Sequence, residues 1–211
     1  MRVPTKQISF GGSAAFTRKV HAAFMRQGLS QRAAAVATAH VALSTGWGRS
    51  VHNYSLAGIK AGRRDACYGN PAAASYSGSW FCGCSWEIAK SGQPVAGCSD
   101  CPDKYGKPRC KYPFRAYSSL DAGVRGILGI LKAKRYTRAL ALLRAGDTDY
   151  FEEVGRAGWY TSNVGKTADS MKEIHAKVLK YMNMAQETSG SLFIVLAAAV
   201  ATGYLVKKFW K

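Results

Sequence analysis

The sequence predicts an α+β domain that is mainly α, with a small cysteine-rich β-lobe and a transmembrane helix at the carboxy terminus. Three observations carry this. Apolar residues recur at helical spacing on both sides of the middle of the chain; all six cysteines fall between Cys67 and Cys110; and nineteen residues from Thr188 to Val206 pass without a charge. A chain of 211 residues with 47% hydrophobic content has room for one domain with a full core and an appendage, and is too short for two full-sized domains.

The elements follow in order. Residues 1–13 form an amino-terminal segment that lacks the continuous apolar core of a secretory signal. The domain proper spans 14–184. Residues 14–43 hold two helical stretches separated by Gln27-Gly28-Leu29-Ser30, with Ser30 as N-cap of the second and Gly46 as its stop after about Thr45. Positions 33, 36, 37, 40, 41 and 44 then share one face, so position 44 lies at the carboxy-terminal end of a buried helix. Residues 61–113 form the cysteine-rich β-lobe, rich in Gly, Ser, Pro and aromatics, with extended pieces at Ser79–Cys82 and Ser85–Ala89. Helices return over Asp121–Lys134, capped by Ser118 or Ser119, then over Thr137–Ala145, Tyr150–Ala157 and Thr167–Met184. A tether of 185–190 leads to the span at 191–206 and a basic tail at 207–211.

The six cysteines, Cys67, Cys82, Cys84, Cys98, Cys101 and Cys110, sit in an insert too small to bury much core, which favours disulfides. The C-x-C and C-x-x-C spacings also permit a zinc cluster, and six cysteines allow fifteen pairings. No cofactor is expected, and no metal is assigned to the functional site.

Thirty Lys and Arg against 12 Asp and Glu give a formal charge of +18, so the chain attracts polyanions: nucleic acid, anionic lipid or an acidic wall polymer. Residues 1–64 carry ten of those cations and no carboxylate. The uncharged stretch 188–206 makes about 28 Å of helix, close to the hydrocarbon thickness of a bilayer. Tyr204, Lys207, Lys208, Trp210 and Lys211 give it the interfacial flank of a single-pass anchor.

Four blocks, ALSTGWGRSVHNYSLAGIKAG (42–62), SWEIAKSGQPV (85–95), YPFRAYSSLDAGVRGILGIL (112–131) and FEEVGRAGWYTS (151–162), occur at spacings similar to those of the glucosaminidase family, glycoside hydrolase family 73, which includes flagellar and phage-borne peptidoglycan hydrolases. The resemblance covers about residues 14–184. It implies a lysozyme-like fold, with a helical body and a β-lobe flanking a groove for a glycan strand. It also implies two acids on opposite sides of the scissile bond, one holding its proton and one ionised.

Mapped onto this chain, the first acid falls on Ser44 and the second on Glu87. Tyr160 is placed by the same resemblance beside the catalytic acid, and Trp47, Asn53, Tyr54 and Trp159 are placed as glycan-binding residues. Ser55 and Ala57 stand where the family carries Asn and Phe, which opens that wall. A serine hydroxyl is no general acid of the required strength. His40, one turn before Ser44, and Asp65 are the substitutes within reach.

Two readings of the domain follow: a membrane-anchored peptidoglycan hydrolase of phage entry or lysis, or a catalytically inactive relative that binds glycan or serves as a structural virion protein. A third is a basic membrane protein that contacts nucleic acid. The expected partners are peptidoglycan strands, a membrane through the carboxy-terminal helix, and other virion proteins; the expected location is a virion membrane or bacterial envelope.

Overall fold

The computed structural model describes residues 1–85, 110–160 and 162–183. Six α-helices are seen among them: α1 (Ser13–Arg26), α2 (Gln31–Thr45), α3 (Leu120–Leu131), α4 (Thr137–Ala145), α5 (Tyr150–Arg156) and α6 (Val164–Tyr181). Two strands, β1 (Trp80–Ser85) and β2 (Cys110–Arg115), pair antiparallel with Trp80 opposite Arg115 and Ser85 opposite Cys110. The mainly helical α+β class is as expected. Glu87, Cys98, Cys101, most of the Ser85–Ala89 extended piece and the Thr188–Val206 segment lie outside the described residues. No helix among the described residues is long and apolar enough to cross a membrane.

Helix α2 is the centre of the body. Ser30 accepts a hydrogen bond from the Ala33 amide at 3.2 Å, satisfying one of the free donors of the first turn. Its alanines leave no bulk, so α1, α4 and α6 all pack directly against it. Of its 15 residues, eleven are buried, from Ala33 to Ala42 and Thr45. At the far end Gly46 adopts the left-handed conformation, and the Trp47 amide bonds back to the Ala42 carbonyl at 2.8 Å.

Three elements depart from the sequence expectation. Helix α3 stops at Leu131 rather than Lys134, because Ala133 turns extended and residues Lys134–Tyr136 form a 3-10 turn that buries the Tyr136 ring. Helix α6 begins at Val164, three residues before Thr167, because the Asn163 side chain accepts from the Lys166 amide at 3.0 Å; Gly165 in its first turn masks that start in the sequence. Strand β2 carries Pro113, which argues against a strand from sequence alone. In place, Pro113 offers only its carbonyl, which accepts from the Ala61 amide at 2.7 Å.

The β-lobe is held by three devices besides its own ladder. Cys67 and Cys82 form a disulfide, which removes both from any zinc cluster, and Cys84 is disulfide-bonded as well. Trp80 packs with Ala61, Ala66 and Ala73 in a small cluster of its own. The amino-terminal segment runs along β1: Val3 donates to the Trp80 carbonyl at 2.7 Å and Trp80 donates to the Met1 carbonyl at 3.0 Å. The first residues are thus part of the lobe.

The Cys67–Cys82 bond spans 15 positions, for which loop closure predicts about 3 kcal/mol of stabilisation. Replacing both with Ala is expected to lower the unfolding free energy by about that amount, read from urea denaturation. A change below about 1 kcal/mol would mean that the other contacts of the lobe hold it without this bond.

Candidate active site

A groove of about 670 Å³ lies between the helical body and the β-lobe. The carboxy-terminal end of α2 supplies Leu43, Ser44 and Thr45; the α5–α6 connection supplies Trp159 and Tyr160; and β1 and β2 supply Phe81, Gly83 and Phe114. The segment after α2 contributes Ser50, His52, Ser55, Ala57 and Lys60. Position 44 is therefore exposed to the groove at the end of an otherwise buried helix.

The Ser44 hydroxyl donates to the His40 carbonyl one turn back, at 3.0 Å. Thr45 ties the turn instead: its hydroxyl donates to the Val41 carbonyl at 2.7 Å and accepts from the Gly48 amide at 3.0 Å. Gly46, Trp47 and Gly48 all have positive φ, which reverses the chain sharply after the helix. A Cβ at Gly48 would collide with Phe16 and Phe10, so glycine is required there for packing as well.

Trp159 and Tyr160 come together with Ser44 in the groove. Trp159 stands edge-on to the rings of His40 and Tyr136, with centroids 5.2 and 5.5 Å away. The Tyr160 hydroxyl donates to the Phe151 carbonyl at 2.5 Å, and burial together with the Glu152 carboxylate raises its pKa. Tyr160 thus stays a neutral, oriented phenol at the groove edge.

Trp47, Asn53 and Tyr54 do not line the groove. Trp47 packs on the core and against Tyr181, with ring centroids 5.6 Å apart. Asn53 spends both ends of its amide on the amino-terminal segment, accepting from the Lys6 amide at 2.8 Å and donating to the Pro4 carbonyl at 3.0 Å. Tyr54 is half-buried, and its carbonyl fills the space where a Cβ on Gly123 would stand. Asn53 and Tyr54 hold positive φ, so this turn is shaped by the segments it joins.

His40 is buried and does not reach the groove. Its Nδ1 lies 2.8 Å from the Tyr150 hydroxyl, its Nε2 has no partner among the described residues, and burial pushes its pKa down to about 4. It is a neutral structural ring and supplies no proton at Ser44. Asp65 is in the 3-10 turn Arg64–Cys67.

Among the described residues no carboxylate lines the groove; its ionisable side chains are His52, Lys60 and Tyr160. Lys60 lies over the Tyr112 ring, 4.1 Å from its centroid. Ser55 is buried at the groove wall with a hydroxyl that has no hydrogen-bond partner among the described residues. Sequence reasoning did not single out His52 or Lys60, although both lie in the 42–62 block. Thr5, which also lines the groove, gave no signal, because its place depends on how the amino-terminal segment pairs with β1.

The chain has the fold of peptidoglycan hydrolases. It superposes on a mutant peptidoglycan hydrolase from Sphingomonas sp. A1 with a TM-score of 0.54 at 18% identity, covering 81% of this chain and 94% of that one. A second mutant form from the same source gives 0.53 at 18% identity, covering 83% and 99%. A truncated glycoside hydrolase domain of FlgJ from Salmonella typhimurium gives 0.49 at 20% identity, covering 80% and 98%. No protein-family profile matches the sequence, and no curated protein matches it.

Two buried histidines, His21 and His40, and the half-buried His175 make a pH prediction. His21, His40 and His175 all have pKa values lowered from 6.5, with burial the largest cause. The unfolded chain therefore binds more protons than the folded one below about pH 6.5, so stability is full above that pH and falls as the solution is acidified toward about 4. Urea midpoints are expected to drop over that window. His40→Gln should be less stable at neutral pH and show a shallower drop; an unchanged slope would mean that His40 is not the main contributor.

Proposed function

We propose that the domain engages peptidoglycan glycan strands in the groove at Ser44 and, in its present form, binds them without cutting. The observation that carries this is the hydroxyl of Ser44 at the corner where the resembled family places its proton donor, in a groove with no carboxylate among its described lining residues. The unpartnered Ser55 hydroxyl, the Trp159 edge and the Tyr160 phenol suit sugar hydroxyls and ring faces. The peptidoglycan-hydrolase fold supports the same substrate class. Glu87, expected in the second acid position, would have no proton donor opposite it. We place the domain on a membrane through the 191–206 segment, in a virion or bacterial envelope, where the +18 charge assists approach to an anionic wall.

The decisive measurement pairs sacculus sedimentation with muropeptide release. The full chain should pellet with sacculi and release nothing above the blank. Ser44→Glu should release muropeptides at a rate at least about a hundredfold higher, the scale of a positioned general acid, and Glu87→Gln in that background should abolish it. Muropeptide release by the unaltered chain, stopped by Glu87→Gln, would overturn the binding-only reading.

A further inference from the structure

A second cavity, of about 560 Å³, opens at the other end of α2, beside the Gln27–Ser30 turn and between α3 and α4. As α2 is about 22 Å long, this cavity is separate from the groove. Its floor is apolar: Leu29, Leu128 and Leu140 are half-buried and packed on the core. Its rim is basic: Arg125, Lys132 and Arg144 line it, and no carboxylate does among the described residues. None of these three cations makes an ion pair among the described residues.

Helix ends account for only part of this charge. Lys132 caps α3 and Arg144 is in the last turn of α4, where the macrodipole favours a cation. Arg125 is in the interior of α3 and has no such reason. Between Asp121 and Asp147 the chain carries six cations and no acid. The first turn of α2, whose positive end opens on the cavity through Ser30, also has no acidic side chain.

The glycines of α3 add an independent observation. A Cβ at Gly123 would collide with the Tyr54 carbonyl, and one at Gly126 with the Tyr117 ring, so both are needed for close approach. A Cβ at Gly129 would meet nothing within 4 Å. A glycine inside an exposed helix face costs about 1 kcal/mol relative to alanine, and packing does not explain this one. It lines the cavity, and its missing side chain keeps the cavity open.

We infer that this cavity is a second binding site, for a phosphate ester carried on a short polyol stem, as in the polyol-phosphate chains of an anionic wall polymer. Two guanidinium forks and an ammonium group match the oxygens of a phosphate, and the leucine floor takes the carbons of the stem. A nucleic-acid duplex is a convex rod with charge along its length and calls for a stripe of cations rather than one concave pocket. A lipid surface fits less well, because it is flat and calls for cations on a protruding face, whereas these three line a concavity.

The test uses the full chain and measures binding to poly(glycerol phosphate), inorganic phosphate, duplex DNA and phosphatidylcholine vesicles with and without phosphatidylglycerol. The triple change Arg125→Gln, Lys132→Gln and Arg144→Gln should weaken polymer binding about tenfold or more. Gly129→Leu, which fills the cavity and leaves the charge unchanged, should weaken it to a similar degree. A control that removes the same charge from α6, Lys172→Gln with Lys177→Gln and Lys180→Gln, should change it less than about twofold. The inference is overturned if the polymer does not bind, if the control weakens binding as much as the triple change, or if Gly129→Leu has no effect. It is also overturned if the rim cations serve duplex DNA or phosphatidylglycerol vesicles more tightly than the polymer.

Discussion

Burial of an alanine-rich helix on all sides is the constraint on which the rest of this structure depends. With six alanines between positions 33 and 42, α2 lets α1, α4 and α6 approach its backbone closely, and the surrounding helices supply the bulk: Phe16, Phe24, Leu143 and Met171 are among the largest buried side chains. A helix so enclosed can present a side chain to solvent only at its ends. The amino-terminal end opens on the basic cavity and the carboxy-terminal end on the groove, so one packing decision positions both candidate sites.

The same burial obliges every polar group of α2 to find a partner or bear the cost. Thr38 and Thr45 donate to carbonyls four residues back, at 2.7 Å each. His40 reaches across to the Tyr150 hydroxyl of α5, and its ring meets the edge of Trp159. Through this one imidazole the core of the body is mechanically connected to the wall of the groove. Its neutral state is a consequence of burial, which is why a histidine one turn from Ser44 does not replace an acid.

The β-lobe solves a different problem. Its clusters around Trp80 and around Phe81 and Phe114 are too small to hold a groove wall at a fixed distance from the body. A disulfide, a strand pair and the amino-terminal segment share that task, and the Asn53 amide links the segment back to the turn after α2. Asn53 thus maintains the groove from outside it, although the sequence places it among candidate glycan contacts.

Much of the fold was legible because it rests on local chemistry. Ser30 as cap, Gly46 as stop and the apolar spacing of the helices are properties of neighbouring residues, and they determined the class, most element bounds and the place of Ser44 at a helix end. The absence of a carboxylate from the first 64 residues was equally plain, and so was the lack of an acid at position 44. Side-chain partners over long separations were not legible. Whether Trp47 faces sugar or Tyr181, whether Asn53 binds a ligand or the Pro4 carbonyl, and that Thr5 and Lys60 share a wall with Tyr160 depend on contacts between segments far apart in the chain. The basic cavity has the same origin, since Arg125 and Arg144 become neighbours only when α3 and α4 pack beside the Gln27–Ser30 turn. The sequence by itself determined which helices form and that position 44 carries no carboxylate, because capping, apolar period and residue identity are local properties; only the tertiary structure decided which side chains face each cavity, because that depends on how buried surfaces fit together.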